Sequence, residues 1–168
     1  MPEFHRIKLR VGALVFHGDE VALIRRPRAG AVLHSLPGGN VEPAEDLPSA
    51  LRRELAEELA LDLDDATPPQ LLWVVDQMVT RPGPTPSPRK LHLVYRLHIT
   101  ADVRRTLATE EDDDGHDSGE IVWLPYRDTV GLSLYPPVAA RLASLPSPTS
   151  PVPDAAAPGI TDANYSWL

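Results

Sequence analysis

An α/β domain of the α+β kind is predicted, with strands on either side of one strong helix, and three observations predict it. Leu9 to Phe16 and Val21 to Ile24 are apolar, β-branched runs flanking His17-Gly18-Asp19, the pattern of a hairpin. Leu51, Leu55 and Leu59 recur at every fourth position, the spacing of one helix face. Leu91, Leu93, Tyr95, Leu97 and Ile99 alternate with His92, Val94, Arg96 and His98, the period of a strand.

Taken in order, the hairpin ends at Arg25 and Arg26. A loop through Pro27, Gly30 and His34 then leads to Leu36-Pro37-Gly38-Gly39. The helix is predicted from Leu47 to Ala60, because Asp46 can cap its free amides and Pro48 is tolerated in a first turn. Asp64 to Pro69 is a break, and Gln70 to Thr80 returns to strand composition. Arg81 to Arg89 is too rich in proline for a helix or a central strand and reads as an exposed hairpin loop. On the strand that follows, His92, Arg96 and His98 either line a substrate face or are ordinary half-exposed residues.

Thr109 to Asp117 carries six acids in nine residues, which predicts a solvated loop. Glu120 to Pro125 is the next strand. Tyr126 to Val130 and Pro136 to Leu145 read as a short helix and the final helix. The domain is therefore expected to span residues 1–145, with 146–168 as a Pro- and Ala-rich tail or arm, dispensable for folding. The closing residues 164–168 are more apolar. Docking on the body, docking on a second copy in a homodimer, and free fraying all stay open for them.

Composition narrows the function classes. At 168 residues the chain is long enough to bury one core. It has no cysteine, which excludes disulfides and thiolate zinc sites and makes a cytoplasmic protein the simplest expectation. The apolar run at Val11 to Phe16 is too short for a signal-peptide core or a membrane span, so no membrane partner is expected. A net charge of −8 disfavours long nucleic acids, which are held by many Lys and Arg contacts to phosphates. It leaves room for a small nucleotide carried in with its metal.

On a helix turning about 100° per residue, Glu54, Glu57 and Glu58 fall within an arc of roughly 100°, beside the leucine stripe. Like charges at this spacing cost a few tenths of a kcal/mol per pair, so clustering them gains nothing unless a cation sits there. Carboxylates in a chain without cysteine or a His-x3-His pair suit Mg²⁺ or Mn²⁺. A merely acidic, solvated face is the plainer reading. The glycine turn and Arg53 at fixed offsets argue against it.

From Gly39 the segment reads G-x5-E-x7-R-E-L-x-E-E-x-A-L, through Glu45, Arg53, Glu54, Leu55, Glu57, Glu58, Ala60 and Leu61. This resembles the Nudix box of the Nudix (MutT-like) hydrolases, whose pattern ends in Gly-apolar where this chain has Ala60-Leu61. The departure concerns the helix end and touches no charged position. The resemblance covers Leu9 to Leu145 and implies a mixed sheet sandwiched between helices.

It also implies roles. Glu57 and Glu58 match metal ligands, Glu54 the acid that binds or deprotonates water, and Gly38 a carbonyl that joins the coordination. Arg53 and Glu45 match the pair that holds the acidic cluster in place. The loop that precedes the box delivers the chain to the active site, where Arg25 and Arg26 could grip phosphate by forked hydrogen bonds. Nudix hydrolases often take a further carboxylate from the loop before a Trp-containing strand, which makes Asp114, Asp117 and Glu120 candidates ahead of Trp123.

The implied reaction is metal-dependent cleavage of the pyrophosphate linkage in a nucleoside diphosphate joined to another group. The proline that marks ADP-ribose enzymes and the tyrosine that marks dinucleoside polyphosphate enzymes would fall around Asp76, Gln77 and Met78, and neither is present. A nucleoside triphosphate is the first expectation, a nucleotide-sugar of the ADP-ribose type the second. A non-catalytic Nudix-fold regulator is the competing class.

Overall fold

The computed structural model describes residues 7–79, 89–113, 116–156 and 159–162, with the backbone alone at 79, 112, 113, 116, 117 and 160–162. β1 (Ile7–His17) is buried on both faces from Val11 to Phe16. Val11, Ala13 and Val15 enter one apolar cluster, while Leu14 and Phe16 enter another on the opposite side. A strand covered on both faces needs a continuous apolar run, which is why Val11 to Phe16 has no polar alternation.

Ten strands among the described residues form one mixed sheet. β6 (Arg89–His98) lies parallel to β1 from Ile7↔Arg89 to Phe16↔His98, and β5 (Gln70–Val79) runs antiparallel to β6. On its other side β1 forks. Phe16 and His17 pair with β2 (Glu20–Arg28), whereas Arg10, Val11 and Gly12 pair with β4 (Gly38–Asn40). β2 then carries β3 (Ala31–Ser35) along its second half and β8 (His116–Pro125) along its first. β9 (Leu134–Tyr135) pairs with β3, and β7 (Glu110–Asp113) with β8.

α1 (Leu47–Leu59) covers one face with Ala50, Leu51, Leu55 and Leu59. α3 (Ala139–Ala143) covers the other through Leu142, against Phe16, Leu23 and Trp73. A short α2 (Ala101–Thr106) is capped by the Thr100 hydroxyl and follows β6. The sheet between helices is the layering that the sequence implied.

Three local expectations are revised. β2 continues through Arg25 and Arg26 to Arg28, because the loop expected after them is β3, paired with β2 from Ile24 to Arg28. Glu110 to Asp113 is an edge strand rather than a loop. Backbone pairing with β8 satisfies its amides whatever its charge, and an edge leaves one side to solvent. The final helix is only Ala139–Ala143, since Pro136 and Pro137 stand before it and Val138 caps it without a side-chain bond.

The described residues beyond Leu145 lie on the body. Tyr126 Oη and Arg127 donate to the carbonyls of Leu145 and Pro146, Arg96 donates to that of Ser150 at 2.8 Å, and Val74 N donates to that of Ala155 at 2.7 Å. Val152 packs on the second cluster, and β10 (Ile160–Asp162) extends the sheet parallel to β5. The proline-rich residues 81–88 and the closing residues 163–168 fall outside the described residues.

Candidate active site

α1 begins where Asp46 accepts a hydrogen bond from Ser49 N at 2.8 Å and Pro48 occupies the first turn. It ends at Ala60, whose φ of 55° is left-handed, with Ala60 N bonded to Ala56 O and Leu61 N to Leu55 O. That is the termination a glycine usually makes, here reached by alanine at some cost in backbone strain.

The leucine stripe draws α1 down onto the sheet, which sets its acidic edge against β4. Gly38 N donates to Glu58 at 2.7 Å. Gly38 has φ of 148°, and a Cβ there would overlap the Val11 carbonyl across the β1–β4 pair. A Cβ on Gly39 would overlap the carboxylate of Glu54. Two glycines are thus what lets helix acids touch a strand backbone.

Arg53 ties these parts together. Its Nε and Nη2 donate to Glu45 at 2.9 and 3.0 Å, and Nη2 also donates to the Asn40 carbonyl at 3.0 Å. Nη1 donates to Glu54 at 2.8 Å and to Glu57 at 3.3 Å. The bidentate bonds from Arg53 hold the Glu45 carboxyl below the usual carboxylate range, helped by the Glu42 amide.

The helix carboxylates go the other way. Glu58 is pushed up to about 8, chiefly by burial. The Gly38 amide opposes that shift, and the charges of Glu111 and Glu54 reinforce it. Glu54 is raised by burial, with Arg53 opposing. Burial and mutual repulsion therefore disfavour the ionised carboxylates here, and the surrounding cations do not fully offset that cost. That electrostatic state, and a donor set made only of oxygen, fit a hard divalent cation. Among the described residues, no three acid or histidine side chains yet converge on one centre. Glu54 is turned onto Arg53, and Glu58 onto the Gly38 amide.

The two arginines part company. Residues of β2 alternate faces, so Arg26 follows Ile24 onto the α1 side while Arg25 follows Leu23 onto the other. Arg26 pairs with Glu111 and donates to Ser35 Oγ at 3.2 Å. Arg25 is half-exposed and pairs with Glu120 at 3.3 Å across the β2–β8 ladder. Glu120 is thereby placed away from the helix acids. Asp114 lies outside the described residues, and of Asp117 only the backbone, in β8, is described.

Sequence reasoning missed Glu111. It stood in the same acidic run, but only its register opposite Gly119 separates it from its neighbours. Arg10 was also missed. It donates to Asn40 Oδ1 at 2.8 Å and sits 5.5 Å from the ring of Tyr135. Lys90 and His92, both buried, complete this polar patch on the face away from α1. Lys90 donates to Tyr135 Oη, and His92 Nε2 meets Gln77 Oε1, both at 2.8 Å. Arg96 instead anchors Gln70 and the chain at Ser150, and His98 stacks on Phe16.

With this geometry in place, the comparisons with known proteins are informative. Residues 6–144 match the model of the NUDIX domain. A stretch of 69 residues is 35% identical to the NAD-capped RNA hydrolase NudC of Stutzerimonas stutzeri. That stretch is 41% of this chain and spans only 24% of that relative's length. The crystal structure of a MutT NUDIX hydrolase from Burkholderia pseudomallei is 26% identical, with a TM-score of 0.51 over 73% of this chain and 85% of that one. The NUDIX domain of Shewanella oneidensis NrtR, complexed with ADP ribose, is 17% identical. It shares the fold with a TM-score of 0.55 over 84% and 85% of the two chains. No helix among the described residues is long and apolar enough to cross a membrane. A domain match over most of the chain, on a fold that sets the box acids against a glycine turn, carries the conclusion that this protein belongs to the Nudix hydrolase family.

Proposed function

We propose that the protein hydrolyses the phosphoanhydride of a nucleoside diphosphate linked to another group, with a nucleoside triphosphate as first substrate class and Mg²⁺ or Mn²⁺ as cofactor. The observation that carries this reading is the meeting of two acids with raised pKa, Glu54 and Glu58, with the Gly38-Gly39 turn. Gly38, Glu54, Glu57 and Glu58 would hold the ion. When bound, such an ion neutralises charge building on the transferred phosphoryl group and lowers the pKa of a bound water.

The chain's own residues do the rest. Glu54, fixed at one oxygen by Arg53, orients or deprotonates the attacking water with the other. Arg53 and Glu45 act as positioning residues, since they hold the acids against β4 without reaching the reacting atoms. Arg26, on the α1 face, is the phosphate-gripping candidate of the arginine pair. Glu111 is a further candidate, beside Asp114 and Asp117, for the carboxylate offered from outside the helix, whereas Glu120 is engaged by Arg25.

A second substrate class is a nucleoside diphosphate joined to a sugar or cap. The ADP ribose held by the Shewanella oneidensis domain and the NAD-capped RNA of the Stutzerimonas stutzeri hydrolase share that linkage. The test is a panel of nucleoside triphosphates and nucleotide-sugars incubated with Mg²⁺, following phosphate and pyrophosphate release from the former and nucleoside monophosphate plus sugar phosphate from the latter, with Glu57→Gln as control. Turnover of either class supports hydrolysis and chooses between them. If no member is turned over, the non-catalytic regulator is the better account.

A further inference from the structure

Arg26 and Glu111 form an ion pair whose side chains are only 13% and 12% exposed. The pair sits at the border of the helix acids, and both charges act on the buried Glu58. Gly119, opposite Glu111 on β8, leaves the space in which they meet. A Cβ there would overlap Ile24 and press on the Glu111 carboxylate. Ser35 holds the other arm of the guanidinium. β7, which carries Glu111, pairs only with β8 among the described residues, and its register shifts between Glu111 and Asp113. An irregular edge strand is where a side chain can be re-aimed without breaking the sheet.

The electrostatics restrict how such a pair can open. Removing one partner of a buried ion pair leaves the other charge less well compensated, so separation is favoured when each gains a replacement. Two replacements are at hand under the hydrolase reading, on which this inference rests. A divalent ion at the helix acids can receive the carboxylate, and a phosphoryl oxygen can receive the guanidinium. We infer that Glu111 is shared by two cations in turn, Arg26 before the divalent ion binds and that ion afterwards, so that ion binding frees Arg26 for the substrate. Ion and substrate phosphate then favour each other through one exchanged carboxylate, and Arg26 stays masked from stray phosphate until the ion is in place.

The exchange is tested on the full chain with two separate probes. Mn²⁺ affinity is read from the electron paramagnetic resonance of free Mn²⁺. Inorganic pyrophosphate affinity is read by calorimetry with a chelator present. Glu111→Gln is expected to weaken Mn²⁺ and to tighten ion-free pyrophosphate, each by at least about fivefold, the lower bound of usual coupling between sites. Arg26→Gln is expected to do the reverse, tightening Mn²⁺ and weakening pyrophosphate. Opposite signs are the signature, because a merely structural pair would weaken both ligands or neither.

Glu111→Gln alone decides the matter if Arg26→Gln melts early. Loss of both affinities, or no change in either, overturns the exchange. Reciprocal shifts in a protein that turns over no nucleotide would sink the hydrolase reading and leave the exchange standing. Turnover without them would do the opposite.

Discussion

Arg53 holds Glu45 by two parallel hydrogen bonds of 2.9 and 3.0 Å while its third nitrogen reaches Glu54 at 2.8 Å. One guanidinium therefore joins the loop before α1, the Asn40 carbonyl of β4 and the acidic helix edge. A lysine carries the charge without the fork. Arg53→Lys is expected to fold, with kcat lowered about tenfold or more and KM little changed, because ill-placed acids lose stabilisation made only in the transition state. A pure stability defect would instead leave kcat per folded molecule unchanged.

Glu57→Gln and Glu58→Gln are each expected to lower kcat by at least about a hundredfold, since metal-borne charge stabilisation is worth several kcal/mol. Steady-state rates at saturating Mg²⁺ check this. Near wild-type rates in both variants would remove them from the site.

Ala60 ends α1 at φ of 55°, a conformation that costs an L-residue about 1 kcal/mol and glycine almost nothing. Ala60→Gly should therefore raise the unfolding free energy by up to about 1 kcal/mol in urea titrations. The bonds from Ala60 N and Leu61 N remain in place, so activity should not change.

His92 is buried beside Gln77 and Tyr135, and burial pushes its pKa down to about 3, with Arg10 and Lys90 opposing its charge as well. The unfolded chain takes this proton near pH 6.5, whereas the native state refuses it. Stability from this residue is therefore complete above pH 6.5 and lost as pH falls from there towards 3. Between pH 7 and 4.5 the loss should be on the order of 2 kcal/mol. His92→Gln, which does not titrate, should show a flatter fall in unfolding free energy over that range.

Truncation after Leu145 removes the carbonyls that Arg127, Arg96 and Val74 use and uncovers the second apolar cluster at Val152. A net hydrogen bond contributes about 1 kcal/mol, so the shortened chain is expected to lose a few kcal/mol and melt several degrees lower. A cooperative melt at the full-length temperature would instead bear out the expectation of a dispensable tail.

The sequence alone determined α1, its Asp46 start and its shared edge of Glu54, Glu57 and Glu58. Helix periodicity and capping act within four residues, so neighbours in sequence are neighbours in space. The strands of the apolar and alternating runs were legible for the same local reason. Tertiary structure decided which arginine faces the acids, because one step along β2 turns a side chain to the other side and only the sheet's packing says which side α1 covers. It also decided that Glu111 meets Arg26, across 85 residues, through the β2–β8–β7 ladder. The acidic run looked like solvated loop because charge tells how a segment meets water. It does not tell which of its carboxylates a pairing register will turn inward.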